Sequence, residues 1–233
     1  MSAPTASFRG PVEATDWPSK LNARVTTPGH APLLHGYDVE GDLAHYYRGI
    51  EITLLALTGE LPAPGVARAA EIALAFLAPC SVAHAATHGA VLARLCGATT
   101  SATVGVSAVG LAEQARFLLD HHESLLDWLG SREGELPQAY RSPSAMETAS
   151  VERLRALLQP TGVDVGWFSE GPSRDAALLG VLHACGLRRR ELLETLLVVA
   201  RLPAVVAEAF AEKTANFANY PTDLPAYRYE DPR

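Results

Sequence analysis

The sequence predicts an all-α fold, a helical bundle preceded by an irregular N-terminal strap. Three observations carry this expectation. Apolar residues recur at three- and four-residue steps from Val39 onward, runs of β-branched residues at period two are scarce beyond the first forty positions, and prolines crowd the N-terminus. Pro4, Pro11, Pro18, Pro28 and Pro32 prevent a long helix from starting in the first 39 residues. Short β pieces at 23–26 and 33–37 fit there, so residues 1–38 form the strap and 39–233 the helical domain.

The helices follow in order. Leu43, Tyr46, Tyr47, Ile50, Leu54 and Leu57 mark the first, stopped by Gly59; Pro62 and Pro64 turn the chain into a second over 66–77. Segments 82–95 and 102–129 share the helical period and are rich in alanine and other small residues, as suits helices packed closely inside a bundle. The stretch 130–150, with Pro137, Pro143 and several serines, reads as a loop, and 130–160 is where a smaller lobe would be attached. Helices over 151–158 and 173–185, the latter closed by Gly186, precede a long one over 189–217 that should kink or break near Pro203.

Composition narrows the function classes. The 233 residues are 48% hydrophobic and 19% charged, enough apolar material for a sizeable core. Nineteen basic against 26 acidic residues give a net charge of −7, which disfavours a nucleic-acid partner. The run Arg188-Arg189-Arg190 is a local exception of the kind found at solvated helix starts. The least polar stretch, 83–111, is interrupted by His84, His88 and Arg94 and does not read as a membrane span. With no apolar leader in the first thirty residues, a cytoplasmic location is expected. Three cysteines, Cys80, Cys96 and Cys185, lack metal-ligand spacing and read as buried, inert thiols.

His84 and His88, four apart, would share one face of a helix. The intervening Ala85, Ala86 and Thr87 lack the glutamate of a metalloprotease helix, so no metal is expected, and a polar-core role and a site role both remain open. Asp120-His121-His122-Glu123 cannot converge on one atom, because helical neighbours point about 100° apart; a solvated face fits it better. Asp164, between Val163 and Val165 in a glycine-flanked loop, suits either a catalytic carboxylate or a helix-capping one. Nucleotide-phosphate and serine-hydrolase motifs are absent from the sequence.

The order of these pieces resembles the citrate synthase superfamily, in particular its short citryl-CoA lyase branch. Leu34-His35-Gly36-Tyr37-Asp38-Val39, continuing to Asp42-Leu43, is similar to the family's "RGYD…DL" opening. Ile52-Thr53-Leu54-Leu55-Ala56-Leu57-Thr58-Gly59-Glu60-Leu61-Pro62 resembles "YLLLTGELP", the most specific match in the chain. Val163-Asp164 resembles "NVD", the helix from Arg201 to Glu212 resembles "R…G…AH..E", and Pro221, Asp223 and Tyr227 resemble the tail "RP…Y".

The resemblance implies a citrate-synthase-like helical homodimer that makes or breaks a carbon–carbon bond between an acyl-CoA and a keto acid. It implies no bound cofactor, with a CoA thioester as substrate, and a small carboxylated or CoA-linked ligand. Asp164 becomes the base and Arg201 a carboxylate clamp, with His35 and Arg94 the further substrate-binding candidates. The family's "HGGA" histidine has no counterpart near Gly110-Leu111-Ala112-Glu113-Gln114-Ala115, nor its "GHRVY" histidine near Ala139-Tyr140-Arg141-Ser142-Pro143. Asn219 or Tyr220 stands at the tail arginine, Glu208 replaces the late-helix histidine, and the small lobe is reduced.

Two readings follow. One is a diverged enzyme using Asp164, Arg201 and a substitute electrophile at His84 or His88. The other is a non-catalytic ligand-binding homologue or partner subunit, with a complete paralogue as one candidate partner, that retains the dimer core. Either predicts a homodimer, because the alanine-rich 83–111 segment needs covering.

Overall fold

The structure, a computed structural model, describes residues 22–213. Expectations placed on Pro4, Pro11, Pro18, Phe217, Asn219, Tyr220, Pro221, Asp223 and Tyr227 lie outside the described residues. The chain divides into two compact units, Met1–Arg48 and Gly49–Arg233.

In the first unit, β1 (Thr26–Thr27), β2 (Leu33–Leu34) and β3 (Tyr37–Asp38) form a three-stranded antiparallel sheet in sequence order. Leu34 faces Tyr37 across the two-residue turn His35-Gly36, whose φ angles of 47° and 86° are both positive. Such turns match the twist of paired strands, and glycine adopts the second position without strain. Asp38 accepts hydrogen bonds from the Glu40 and Gly41 amides at 2.9 and 2.8 Å, capping a π-helical turn (Val39–Leu43). The one-turn helix α1 (Ala44–Tyr46) follows, and the backbone is extended at Tyr47. The single helix expected across 43–57 is therefore two, interrupted at Tyr47 and Arg48.

The second unit is helical: α2 (Gly49–Thr58), α3 (Pro64–Leu77), α4 (Ala85–Leu95), α5 (Thr100–His121), α6 (Glu123–Ser131), α7 (Ala145–Leu158), α8 (Arg174–Ala184) and α9 (Arg190–Ala211). Its larger core gathers leucines of α2, α3 and α6–α9 around Trp128, Trp167 and Phe168, which meet edge to face with ring centroids 5.4 and 4.8 Å apart. Burying large apolar side chains in this way is the main favourable term in folding.

A second core joins α4, α5 and α9 through Ala86, Ala90, Leu111, Val205 and Ala209. Small residues let the backbones approach: a Cβ on Gly110 would lie 2.9 Å from Ala86 Cα. Among the described residues no helix is long and apolar enough to cross a membrane.

Two local signals shift the expected boundaries. Ser144 accepts from the Glu147 amide at 3.2 Å, so α7 begins at Ala145, inside the expected loop. The 102–129 helix breaks at His122: His121 and His122 each donate from Nδ1 to a carbonyl four residues back, Phe117 at 2.9 Å and Leu118 at 2.8 Å. These imidazoles reach back to carbonyls in α5's last turns. Pro203 lies within α9, which continues to Ala211 without a break.

Candidate functional site

A cavity of about 380 Å³ opens in the second unit, lined by His84, Gln114, Phe117, Leu118, His121, His122, Asp175 and Arg201. Four features of the chain bring these residues together. His84 is the N-cap of α4, His121 and His122 sit at the α5–α6 break, Asp175 lies in the first turn of α8, and Arg201 projects from the middle of α9.

Arg201 donates from Nε to the Leu77 carbonyl at 3.3 Å. This bond fixes the guanidinium while leaving its terminal nitrogens for a ligand, and a planar fork of that kind suits a carboxylate. Asp175 is half-buried in the first turn of α8.

The imidazoles divide by polarity. A backbone carbonyl only accepts, so His121 and His122 carry their proton on Nδ1 and, when neutral, have a lone pair on Nε2. His122 is further held by stacking on Tyr140, with centroids 5.3 Å apart. His84 instead meets a sulfur: Cys80 Sγ lies 3.4 Å from its Nδ1. The cavity thus offers an arginine, three imidazoles and one carboxylate. A ligand bearing carboxylates and a polarisable carbonyl matches that set.

Of the residues singled out from the sequence, the cavity gathers His84 and Arg201. His88 does not line it. Because α4 starts at Ala85, His84 stands outside the helix with an extended backbone, and the four-residue spacing does not place both rings on one helical face. Among the described residues, no three His, Cys, Asp or Glu side chains are placed to hold a metal ion.

Arg94 lies elsewhere, its guanidinium 5.4 Å from the Phe210 ring centroid. His35 belongs to the first unit, at its hairpin turn. Asp164 is exposed, accepts from the Gly166 amide at 2.9 Å in a local turn, and does not line the cavity.

His121 and His122, expected on a solvated face, line the cavity because the helix ends between them. Asp120 points away from them and pairs with Arg116 and Arg190. The expectation of buried, inert thiols holds for Cys185, where burial pushes the thiol up to about 12, while Cys80 and Cys96 are only half-buried and Cys80 pairs with His84.

Asp175 also borders a second, more polar cleft of about 350 Å³, with Arg141, Glu147 and Arg174. There Arg174 donates to the Phe76 carbonyl, and Arg141 donates to the Leu136 carbonyl at 3.3 Å and pairs with Glu135 at 3.1 Å.

No protein-family model matches the sequence, and no curated protein matches it. Solved structures do match. The chain superposes on citryl-CoA lyase from Hydrogenobacter thermophilus with a TM-score of 0.65, covering 91% of this chain and 96% of that one at 19% identity. The fold is that of citryl-CoA lyase. ATP citrate lyase from Methanothrix soehngenii, solved in complex with citrate and coenzyme A, matches 94% of this chain with a TM-score of 0.58 and 12% identity. This chain spans 43% of that larger protein. The citryl-CoA lyase fold bears out the helical architecture expected from the sequence.

Proposed function

We propose that the protein binds a carboxylated, CoA-linked substrate in the His84–Arg201 cavity and forms or cleaves the carbon–carbon bond next to the thioester. The observation that carries this reading is the meeting of Arg201, Asp175 and three imidazoles in one cavity of a citryl-CoA lyase fold.

In the cleavage direction Arg201 holds a carboxylate of the substrate through its terminal nitrogens. Asp175 accepts the proton of the β-hydroxyl, the carbon–carbon bond breaks, and the electron pair moves onto the thioester oxygen as an enolate. An imidazole donor stabilises that oxygen, a contribution of about 2.7–4 kcal/mol for one such donor in comparable sites. The Asp175 carboxylic acid then returns the proton it took to the α-carbon, which completes the step and, in reverse, makes Asp175 the group that deprotonates that carbon.

Asp175 is assigned as base on its position in the cavity, whereas the sequence resemblance points to Asp164. Incubation with citryl-CoA, with release of acetyl-CoA and keto acid followed by mass spectrometry, tests the reading. Product from the wild type and its loss in Arg201→Met support it; no product above a boiled control overturns it.

The non-catalytic reading is favoured by one observation, the exposed position of Asp164 outside the cavity. It predicts ligand binding without turnover. In both readings we place a homodimer contact on α5 and α9, where Val109 and Val199, 67% and 43% exposed, line an apolar groove of about 550 Å³.

A further inference from the structure

The cysteine behind His84 defines what that histidine presents to the cavity. Cys80 lies in the loop between α3 and α4, half-buried, with its sulfur 3.4 Å from His84 Nδ1. The Thr87 hydroxyl donates to the same sulfur at 3.3 Å. Thr87 is fully buried in the first turn of α4, so this hydroxyl is fixed. With its sulfur already accepting from Thr87, Cys80 has its S–H free to donate onward, and a thiol has one hydrogen to give.

We propose that Cys80 is a positioning residue: its S–H···Nδ1 hydrogen bond holds neutral His84 as the tautomer with the proton on Nε2. His84 then presents an N–H donor to the cavity, opposite in polarity to the Nε2 lone pairs of His121 and His122. A partner that fixes one ring nitrogen decides the role of the other. The Thr87–Cys80–His84 relay makes His84 the group that stabilises a developing oxyanion, and it leaves His122 and Asp175 as proton acceptors.

The other cysteines lack this arrangement. Cys185 is buried and faces the Val66 carbonyl at 3.5 Å. No histidine contact is found for Cys96 among the described residues.

The identity of the oxyanion rests on the proposed reaction, but the tautomer does not, and the two are measured separately. Long-range proton–nitrogen NMR on ¹⁵N-histidine-labelled protein, without substrate, reads the protonated nitrogen directly. His84 signals are assigned by their loss in His84→Gln. The wild type is expected to show His84 protonated on Nε2, with Nδ1 shifted as a hydrogen-bond acceptor.

Cys80→Ser, which keeps a hydroxyl donor, should preserve that pattern. Cys80→Ala should lose the acceptor shift and move towards a tautomer mixture. Cys80→Asp, an acceptor only, should move the proton to Nδ1. Where Cys80→Asp fails to fold, alkylating wild-type Cys80 removes the same donor. Signals for His84 unchanged between wild type and Cys80→Ala, or a wild-type proton on Nδ1, would overturn the proposal.

In turnover, Cys80→Ala should be slower by several-fold and Cys80→Ser rescued towards wild type. If the wild type turns over nothing while the NMR pattern holds, the reaction is wrong and the relay stands.

Discussion

Replacing Arg201 with methionine removes the cavity's guanidinium while keeping a side chain of similar length and apolar stem. The Nε–H donated to the Leu77 carbonyl leaves the two terminal nitrogens as the carboxylate fork. A hydrogen bond to a charged group contributes about 1.5–3 kcal/mol. Arg201 is partly exposed, so the lower part of that range applies, about 1.5–2 kcal/mol, or roughly ten- to thirtyfold in Kd.

Citrate titrated calorimetrically into the wild type and Arg201→Met should show that loss, with Arg201→Lys in between because lysine keeps the charge without the fork. Contact-distance pairing is weakly screened, so most of the difference should survive added salt that suppresses long-range attraction. Losing the tether to Leu77 leaves one carbonyl without that donor and costs about 1 kcal/mol of stability, a Tm shift of only a few degrees. Equal citrate affinity in wild type and Arg201→Met, with affinity lost instead in Arg141→Met, would refute the assignment and move the carboxylate site to the neighbouring polar cleft.

Three other outcomes follow from the geometry. Gly110→Ala inserts a Cβ 2.9 Å from Ala86 Cα at the α4–α5 crossing, and should cost about 1–3 kcal/mol in urea unfolding and weaken citrate binding by displacing His84; wild-type stability would mean the crossing is looser than described. Val109→Glu places a charge on the exposed α5 face and should convert a sedimenting dimer to monomer, whereas an unchanged dimer would put the interface elsewhere. Burial, then the charges of Arg188 and Arg132, hold the His183 imidazole below its usual 6.5. The unfolded chain therefore protonates first as the pH falls, so stability is full above 6.5 and declines on its acid side. His183→Asn should flatten that decline, and an unaltered acid-side slope in urea unfolding would contradict the assignment.

Much of the fold was legible because apolar periodicity reports helices directly: α3, α8 and most of α9 lie where Leu, Val and Ala recur at helical steps. Boundaries were less legible where a single side chain decides them. At the His122 break two imidazoles reach back to carbonyls, and α7 starts early because Ser144 caps it; the spacing Ser144-Ala145-Met146-Glu147 is a capping-box signal that could have been read.

The candidate site was half legible. Arg201 and His84 could be singled out, but their neighbours come from α5, the α5–α6 break and α8, and no spacing along the chain shows which helices meet. Asp175 follows Ser173, the cap of α8, by two positions, so it reads as an ordinary first-turn acid. Cys80 and His84 are four apart in a loop, where helical geometry is no guide. The pairing of Asp120 with Arg190, 70 residues distant in sequence, likewise exists only in the folded chain.

On the reading proposed above, the reaction takes place in the cavity and Asp175, lining it, moves the proton. Exchange of deuterium from solvent into the α-carbon of acetyl-CoA, followed by NMR in wild type, Asp175→Asn and Asp164→Asn, tests it most directly. Exchange is expected in the wild type, with its loss in Asp175→Asn and its survival in Asp164→Asn. No exchange in the wild type, or loss in Asp164→Asn with survival in Asp175→Asn, would contradict it.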